Sequence, residues 1–556
     1  MPLDVVSDKL PARRAYLRGA AWWLMAALFA LLLLLAALRP LALPDEGRYG
    51  EVGRWMAFSG DWLIPRLNGL PFFHKPPLLY WLEAASVTLL GATPWALRLA
   101  PALHAGLMLA ALFLAARAFS RHTGAGDDGE RLARRAALML GSSPAFLVGG
   151  QYINHDMLVA AWIGVAIWCF AAAFLRGEKP HTGWALAGFA ACALGVLSKG
   201  LIGLALPGLV LFIWLLWTRQ FRKVWRLPWL RGLLLFAVIA VPWFVLAERR
   251  YPGLFAYLFG VQQFTRYVGR GFNNVQPWWF YLPCLILLLF PWAFFALAEG
   301  AARARRGKPS AAPLPAAPVS RQVQALCWIW IAAILIFFSI PRSKLIGYIL
   351  PVMPPLALLA ALGWGRWMHG RRAAGAWLAA LTALPLVMVC VANIVVSRYE
   401  TPRTSARNIA LALACDAAPD DPVYAVNSFP YDLPFYARMT HPLIAVQNWA
   451  QLRVSEGDTW KREMFEAGDF EPARAARLLQ SPPAALQTAH ATPHAWVAVT
   501  QDHAAEVQEQ GFRLVTQSGH WALYASPAKP LTPESPEAAE HKGLPGCQHR
   551  RGEPGP

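Results

Sequence analysis

The sequence predicts a polytopic α-helical membrane protein with about 11–13 transmembrane helices and one α/β domain at its C-terminal end. Of its 556 residues, 56% are hydrophobic and only 15% are charged, whereas soluble domains carry roughly 25% charged residues. Apolar blocks repeat from Trp22 to Val396, and the charges lie between them in short clusters. This distribution excludes a disordered chain, a collagen-like chain and an ordinary soluble enzyme.

The formal net charge of +19 does not indicate a nucleic-acid partner. The Lys and Arg residues are not gathered on one domain. They occupy short loops between apolar blocks, where the positive-inside rule expects them. We therefore expect membrane lipids around the chain and no nucleic acid.

The topology follows from the apolar blocks and the basic clusters between them. The first block, 20–38, is long enough to span a bilayer and follows a basic N-terminal segment, so it predicts an uncleaved helix with a cytoplasmic N-terminus. Later blocks lie near 96–119, 136–153, 157–175, 183–199, 200–217, 232–247, 278–298, 322–340, 345–363 and 375–397. Basic clusters near 117–135, 176–179, 219–226, 303–308 and 366–372 alternate with the outer turns.

This pattern predicts about eleven crossings, with the apolar piece Leu78–Leu90 either re-entrant or an additional span. Residues 1–397 then form a transmembrane domain that includes an amphipathic outer loop, 41–77, in which a helix from Glu46 to Phe58 lies on the membrane. Residues 398–526 alternate strand-like and helix-like runs and predict an outer α/β domain. The Pro-, Glu- and Gly-rich tail, 527–556, is predicted to be disordered.

Several polar side chains come from separate turns on the outer side. Asp45 follows the first span, Asp156 lies in a short turn, Lys199 lies where two spans meet, and Lys344 precedes another span. Each alone fits an ordinary charge at the end of a membrane helix. Their common placement at one membrane depth predicts a site for an anionic amphiphile.

The motifs around these residues resemble the bacterial ArnT family of lipid-linked sugar transferases, which belongs to the protein O-mannosyltransferase superfamily with the GT-C fold. The resemblance covers about residues 15–400, in order. It rests on Leu-Pro-Asp-Glu-Gly-Arg-Tyr at 43–49, Phe-His-Lys-Pro-Pro-Leu at 73–78, His-Asp-Met at 155–157, Ser-Lys-Gly at 198–200 and Ser-Lys-Leu-Ile-Gly-Tyr-Ile-Leu-Pro-Val-Met-Pro-Pro at 343–355.

The resemblance implies a role for each matching residue. Asp45 is expected to be the main catalytic carboxylate, which orients or activates the acceptor, and Asp156 is expected to assist it. Cations aimed at the departing phosphate would stabilise the charge that develops there. The expected donor phosphate-binding residues are Lys75, Lys199 and Tyr348, and the expected site-lining residues are Glu46, Tyr49, His74 and Lys344.

Two positions depart from the family pattern. The family usually has Glu before Lys-Pro-Pro, where this chain has His74, and the family's Glu-His-x-x-Arg-Phe appears here as Gln-Gln-Phe-Thr-Arg-Tyr at 262–267. Any divalent metal bound through those groups is in doubt, and we assign no metal and no cofactor. In the same loop, Arg266 and Arg270 are candidates for phosphate binding, with anchoring to the membrane surface as the alternative.

The resemblance implies a multi-pass enzyme of the bacterial inner membrane whose active site faces the periplasm. The donor is a sugar on undecaprenyl phosphate, and the leading candidate reaction transfers 4-amino-4-deoxy-L-arabinose to a phosphate of lipid A. An alternative enzyme uses the same donor type with another sugar, or with a protein or glycan hydroxyl as the envelope acceptor. A lipid transporter is a different class, which the long outer loop and the C-terminal domain disfavour.

Overall fold

The computed structural model describes residues 9–265, 274–304, 318–455, 457 and 459–527 of the chain. The chain divides into two compact units. The first contains residues 1–36 and 98–392, and the second contains residues 37–97 and 393–556. All but the first residue of the predicted disordered tail, 527–556, lies outside the described residues.

The elements follow one another along the chain in this order. Up to residue 395 the helices are α1 (Lys9–Ala37), α2 (Asp45–Ser59), α3 (Leu78–Leu90), α4 (Pro94–Arg121), α5 (Gly126–Gly141), α6 (Pro144–Gly149), α7 (His155–Leu175), α8 (Thr182–Lys199), α9 (Ile202–Trp217), α10 (Trp229–Arg250), α11 (Tyr281–Leu288), α12 (Ala293–Ala304), α13 (Arg321–Ser339), α14 (Met353–Trp367) and α15 (Ala374–Val395). The strands β1 (Arg66–Leu67) and β2 (Leu70–Pro71) form a short hairpin between α2 and α3.

The C-terminal part alternates short helices and strands. Its helices are α16 (Thr401–Thr404), α17 (Arg407–Asp416), α18 (Leu433–Tyr436), α19 (Trp449–Ser455), α20 (Trp460–Asp469), α21 (Pro472–Leu478), α22 (Pro482–Ala491) and α23 (Ala504–Glu509). Its strands are β3 (Val423–Val426), β4 (Ile444–Val446), β5 (Leu479–Gln480), β6 (Trp496–Thr500), β7 (Arg513–Ser518) and β8 (Trp521–Ala525).

Long apolar helices dominate the first unit. Among the described residues of the whole chain, seven helices are long and apolar enough to cross a membrane, and an eighth span results if α11 and α12, bent by 115°, count as one. Shorter apolar helices run over Trp22–Ala37, Leu78–Leu90 and Ile202–Trp217. The predicted class, a polytopic helical membrane protein with a C-terminal α/β domain, is confirmed.

The predicted span near 136–153 is not one helix. Helix α5 ends at Gly141, and α6 begins at Pro144 after Ser143, whose hydroxyl accepts a hydrogen bond from the backbone N–H of Phe146 at 3.3 Å. A serine cap followed by proline is a strong start signal for a new helix. The polar half of α5, around Asp128 and Arg131, is also too charged for a membrane span.

Close backbone contact joins α8 and α9 in the first unit. A side chain at Gly203 would overlap the backbone of Gly195, so only a residue without Cβ allows the two helices to approach this closely. The crossing also brings the end of α8 to a tight turn at Lys199 and Gly200. The position of Lys199 therefore depends on small residues elsewhere on the two helices.

A six-stranded sheet forms the centre of the C-terminal part of the second unit. Its strand order is β5-β4-β3-β6-β8-β7, with β3 parallel to both β4 and β6, and β8 antiparallel to both β6 and β7. All residues of β3 and β8 are buried. Helices between the parallel strands fit the right-handed crossovers that parallel pairing requires.

The loop 41–77, predicted within the transmembrane domain 1–397, belongs instead to the same compact unit as residues 393–527. Polar side chains of this loop form hydrogen bonds with the C-terminal part of the same unit. Arg66 bonds Glu471 at 2.9 Å, and Asn68 exchanges hydrogen bonds of 2.9 and 2.8 Å with the backbone of Leu443. Buried polar groups need such partners, and sequence spacing alone does not reveal them.

The helix predicted to lie on the membrane is observed as α2, but most of its apolar residues are buried in the protein and do not face lipid. Trp55 and Met56 are buried within the second unit, and only Phe58 remains exposed. Arg54 is buried as well, and pairs with Glu51 at 2.6–2.7 Å while donating to the carbonyl of Met439 at 2.9 Å. Helix α2 is therefore largely a core element of this unit.

We predict that Arg54→Ala destabilises the second unit, because it leaves the buried carboxylate of Glu51 without its cation. Breaking a buried pair in this way costs about 3–5 kcal/mol. Burial already raises the pKa of Glu51, and Arg54 opposes that rise. In the variant the folded-state pKa rises further above its unfolded value, so the loss of stability should increase as the pH rises. Thermal unfolding of the purified wild type and Arg54→Ala at several pH values measures this loss of stability.

The matched control is Arg453→Ala, which breaks a pair with Asp469 whose two side chains are about half exposed. Such surface pairs contribute about 0–1 kcal/mol. Equal losses of stability in the two variants would contradict a structural role for the buried pair.

Candidate active site

The described candidate residues form two groups, one within each unit. The first unit contains Asp156, Lys199 and Tyr348. Asp156 lies in the first turn of α7, where its backbone N–H donates to the capping side chain of Asn154 at 2.9 Å. Lys199 is the last residue of α8 and forms an ion pair with Asp156. A negative charge at a helix N-terminus and a positive one at a C-terminus both suit the helix dipole.

Tyr348 completes this group from a third element. It belongs to the 3₁₀ helix Ile346–Val352, and its ring centroid lies 4.5 Å from the ammonium nitrogen of Lys199. At this distance the ring face attracts the cation. A side chain at Gly347 would overlap the carboxylate of Asp156, so the glycine allows the 3₁₀ helix to pass directly over it. Three residues of the predicted site, one expected to be catalytic and two expected to bind the donor phosphate, are thus in contact within one unit.

The first group can bind an anion through Lys199. All three side chains are mostly shielded from water, and the ammonium group is held between a carboxylate and an aromatic face. A phosphate that carries more charge than one carboxylate would compete with Asp156 for this cation. The displaced carboxylate would then be available to accept a hydrogen bond from another ligand.

The second unit contains Asp45, Arg48 and Tyr49 at the start of α2. The carboxylate of Asp45, about 36% exposed, pairs with the guanidinium of Arg48 at 2.7 Å. The same guanidinium donates to the Tyr49 hydroxyl at 3.0 Å and lies 4.6 Å from the centroid of its ring. Asp45 is therefore oriented by a cation from the next turn of its own helix while part of it stays accessible to solvent.

Arg48 connects this group to the C-terminal part of the same unit through an ion pair with Glu463 on α20. Burial alone lowers the pKa of Arg48, but the negative charge of Glu463, with smaller contributions from Tyr49 and Asp45, raises that pKa well above its usual value. Burial also raises the pKa of the neighbouring Tyr431 hydroxyl. Arg48 is thus a permanently charged link between Asp45 and Glu463.

His74 and Lys75 lie in the same unit. His74 is buried and stacks on Phe72 at 4.8 Å, with Nδ1 3.7 Å from Glu463 and Nε2 3.6 Å from Glu466. The ammonium group of Lys75 donates to the backbone carbonyl of His74 at 3.0 Å. The histidine in place of the expected glutamate therefore meets two carboxylates from α20.

Two predicted site-lining residues, Glu46 and Lys344, are held by contacts with the surrounding chain. Glu46 is fully buried, pairs with Arg39 and accepts a hydrogen bond from the backbone N–H of Ala42 at 2.8 Å. Lys344 is buried and donates to the backbone carbonyls of Gln276, at 3.1 Å, and Pro341. Both contacts satisfy charges that the surrounding chain encloses. The predicted phosphate-binding residues Arg266 and Arg270 lie outside the described residues.

Within the described ranges, no group of three or more His, Cys, Asp and Glu side chains is arranged to hold a metal ion. The group around His74 illustrates the reason. The two ring nitrogens of His74 point in different directions, Nδ1 toward Glu463 and Nε2 toward Glu466. Metal ligands must instead converge on one point, which these three described side chains do not do.

Sequence reasoning missed Glu463, Glu466 and Gly347. The two glutamates lie in a charged C-terminal helix, about 400 positions from their partners, and no local pattern separates them from ordinary surface charges. Gly347 lies inside a recognised motif, but its role is a close approach to Asp156 that only three-dimensional packing reveals.

The chain matches known proteins in both sequence and structure. The model of the dolichyl-phosphate-mannose-protein mannosyltransferase family matches residues 21–259. An undecaprenyl phosphate-alpha-4-amino-4-deoxy-L-arabinose arabinosyl transferase 1 of Sodalis glossinidius is 34% identical over 63% of this chain, and the match spans 60% of that protein's length. A relative named as such an arabinosyl transferase, from Pseudomonas savastanoi, is 31% identical over 66% of this chain and 67% of its own length.

The structural similarity extends further along the chain. The crystal structure of ArnT from Cupriavidus metallidurans bound to undecaprenyl phosphate has a TM-score of 0.74 and 26% sequence identity, covering 92% of this chain and 99% of that one. Its apo state gives a TM-score of 0.72. These similarities confirm the resemblance predicted from the motifs. The chain belongs to the ArnT-like family of lipid-linked glycosyltransferases, which has the GT-C fold.

Proposed function

We propose that this protein transfers a sugar from undecaprenyl phosphate to an acceptor of the bacterial envelope, with 4-amino-4-deoxy-L-arabinose and a lipid A phosphate as the preferred pair. The observation that carries the proposal is the cluster of Lys199, Asp156 and Tyr348, in a fold similar to that of ArnT bound to undecaprenyl phosphate. Relatives named as arabinosyl transferases support the choice of sugar.

In the proposed reaction, the bond between the anomeric carbon and the phosphate oxygen of the donor breaks, and a bond from that carbon to an acceptor oxygen forms. Undecaprenyl phosphate leaves with the electron pair of the broken bond. Lys199 stabilises the negative charge that develops on this phosphate, and Tyr348 and Asp156 hold its ammonium group in place. Lys75 is proposed to add a second cation for the donor.

Asp45 is the proposed catalytic carboxylate on the acceptor. A phosphate acceptor is already ionised and needs positioning more than deprotonation, so Asp45 would act mainly by orienting it together with Arg48. A hydroxyl acceptor would require Asp45 as a general base. The partial exposure of Asp45 and its ion pair with Arg48 are compatible with both roles.

The choice of sugar and acceptor is the finer part of the proposal. His74, which replaces the family's usual glutamate, lies against Glu463 and Glu466. This local change supports a second candidate reaction, in which the same type of donor carries another sugar or the acceptor is a protein or glycan hydroxyl. Purified-protein assays use polyprenyl-phosphate sugars with lipid A, a protein or an envelope glycan as the acceptor in separate reactions. The mass shift of each acceptor separates these alternatives from one another and from a transporter, which modifies none of them.

We also propose that the protein lies in the inner membrane with Asp45, Asp156 and residues 398–526 on the periplasmic side. The alternation of basic clusters supports this orientation, because Lys and Arg concentrate in cytoplasmic loops. Both proposed substrates, the undecaprenyl-linked donor and lipid A, are lipids of the bacterial envelope. An enzyme embedded in the inner membrane can therefore reach them.

Asp45→Asn should nearly abolish sugar transfer while leaving donor binding intact. The substitution keeps the size of the side chain but removes the charge that orients or activates the acceptor. Such roles contribute about 10²–10⁴-fold to the rate. The measurement is the rate of mass shift of lipid A with purified protein, alongside binding of undecaprenyl phosphate.

The matched control is Asp61→Asn in the same loop, whose amide oxygen can still accept from the backbone N–H groups of Leu63 and Ile64. This variant should keep wild-type turnover. Full activity of Asp45→Asn would remove Asp45 from the catalytic role, and lack of transfer by the wild type with every donor sugar tested would overturn the proposed function itself.

The proposed orientation predicts the accessibility of single introduced cysteines. A cysteine at the exposed Gln508 should react with a membrane-impermeant thiol reagent added to intact spheroplasts, and one at the exposed Arg222 should react only after the membrane is opened. The five described cysteines outside the C-terminal part are buried or half-buried, so they set a low background. The reverse pattern of labelling would show that the protein has the opposite orientation in the membrane.

A further inference from the structure

A basic cavity lies in the first unit, between the start of α5 and the end of α14. Its volume is about 280 Å³, and its lining includes Arg131, Arg135, Arg366 and His369, with Asp128 as the acidic member. Leu132, Leu362, Trp364 and Met368 add apolar lining. None of these residues belongs to the groups around Asp156 or Asp45, so the cavity is separate from the proposed catalytic machinery.

The position of the cavity along a membrane-spanning helix indicates its depth. The apolar helical segment Ile346–Trp367 carries Tyr348 at one end and Arg366 at the other. At the usual rise per residue these two positions are roughly 30 Å apart, about the thickness of the hydrocarbon core of a bilayer. The cavity therefore lies at the headgroup level of the leaflet opposite the Lys199 group, which is the cytoplasmic leaflet in the topology proposed above.

The charges of the cavity leave one cation uncompensated. Arg131 pairs with Asp128 at 2.7 Å, and Arg366 pairs with Glu299 at 3.0 Å. Among the described residues, Arg135 has no ion-pair or hydrogen-bond partner, and Nη1 of Arg366 is buried without an acceptor. Arg366 already has a carboxylate partner, so the uncompensated positive charge of the lining is that of Arg135, whose N–H donors are available to an anion with one negative charge.

The surroundings of Arg135 favour an anion in the same way. Burial lowers the pKa of Arg135, the positive charges of Arg131 and Arg134 lower it further, and the negative charge of Asp128 opposes this only in part. An anion in the cavity beside Arg131 and Arg135, which both line it, would relieve their mutual repulsion and replace the water that burial removes. Arginine is also the side chain best suited to binding phosphate oxygens through paired N–H donors.

We propose that this cavity binds the phosphodiester headgroup of an anionic phospholipid. One uncompensated positive charge matches the single negative charge of a phosphodiester. The apolar lining and the position at the end of a membrane helix match the glycerol backbone and the start of the acyl chains. Basic pockets between membrane helices on the cytoplasmic side are known to bind such headgroups. The proposal does not depend on which sugar the enzyme transfers.

The test compares lipid binding to the full-length protein and its variants in nanodiscs. Native mass spectrometry counts the phosphatidylglycerol retained as its proportion in a phosphatidylcholine bilayer is raised. Arg135→Gln should weaken binding of one phosphatidylglycerol molecule about ten-fold or more, since hydrogen bonds to charged groups contribute at this level. The matched control is Arg372→Gln, an exposed arginine that does not line the cavity, and it should bind like the wild type.

A second variant and a titration with inorganic phosphate complete the test. If Arg135→Gln proves unstable in thermal unfolding, Arg131→Gln, whose side chain is about half exposed, takes its place with the same expected direction. Titration with inorganic phosphate separates a lipid site from a free-phosphate site, and phosphate should bind far more weakly than the lipid. Equal retention of phosphatidylglycerol by the cavity variant and Arg372→Gln would overturn the proposal, as would Arg135-dependent binding of phosphate that is as tight as binding of the lipid.

Discussion

Charges that are removed from water are paired in both groups of candidate site residues. An isolated charge in a protein interior or at membrane depth costs several kcal/mol, whereas a paired and hydrogen-bonded one is tolerated. Lys199 therefore lies against Asp156 in the first unit, and Arg48 lies between Asp45 and Glu463 in the second. The ion pairs that make burial tolerable also place the candidate catalytic and phosphate-binding groups.

Small residues make these pairings reachable. Gly203 lets α8 and α9 cross in backbone contact, and the turn after that crossing carries Lys199. Gly347 lets the 3₁₀ helix that carries Tyr348 pass over the carboxylate of Asp156. Membrane helices commonly approach one another through small residues, because apolar side chains gain little by leaving lipid. The first unit uses the same device to assemble a cation, a carboxylate and an aromatic ring.

The helical membrane class and the C-terminal α/β domain were predictable, because the length of apolar blocks and the alternation of strand-like runs are local properties of sequence. The motifs also marked Asp156, Lys199 and Tyr348 as candidate site residues, but the direct contacts among these three are visible only in the structure. The contacts of Glu46 and Lys344 could not be predicted from the sequence. Glu46 pairs with Arg39 and Lys344 donates to backbone carbonyls, and no motif marks these partners.

The assignment of loop 41–77 to a unit was not predictable either. The contacts of Arg48 with Glu463 and of Arg66 with Glu471 join segments that are distant in the chain, and a single sequence carries no signal for such pairs. The split at Ser142 and Ser143 could have been found, because a serine cap followed by proline is a local start signal; the apolar residues on both sides obscured it.

We propose that Lys199 is a phosphate-binding cation held in place by Asp156 and Tyr348, and the affinity of the protein for undecaprenyl phosphate is the direct test of this role. The purified protein would be titrated with this lipid, without sugar, beside Lys199→Met and the exposed-lysine control Lys179→Met. Loss of a charge-assisted contact predicts binding about ten-fold weaker or more for Lys199→Met and unchanged binding for the control. Equal affinity of all three proteins, with Lys199→Met folded as judged by its thermal unfolding, would show that Lys199 does not bind the phosphate.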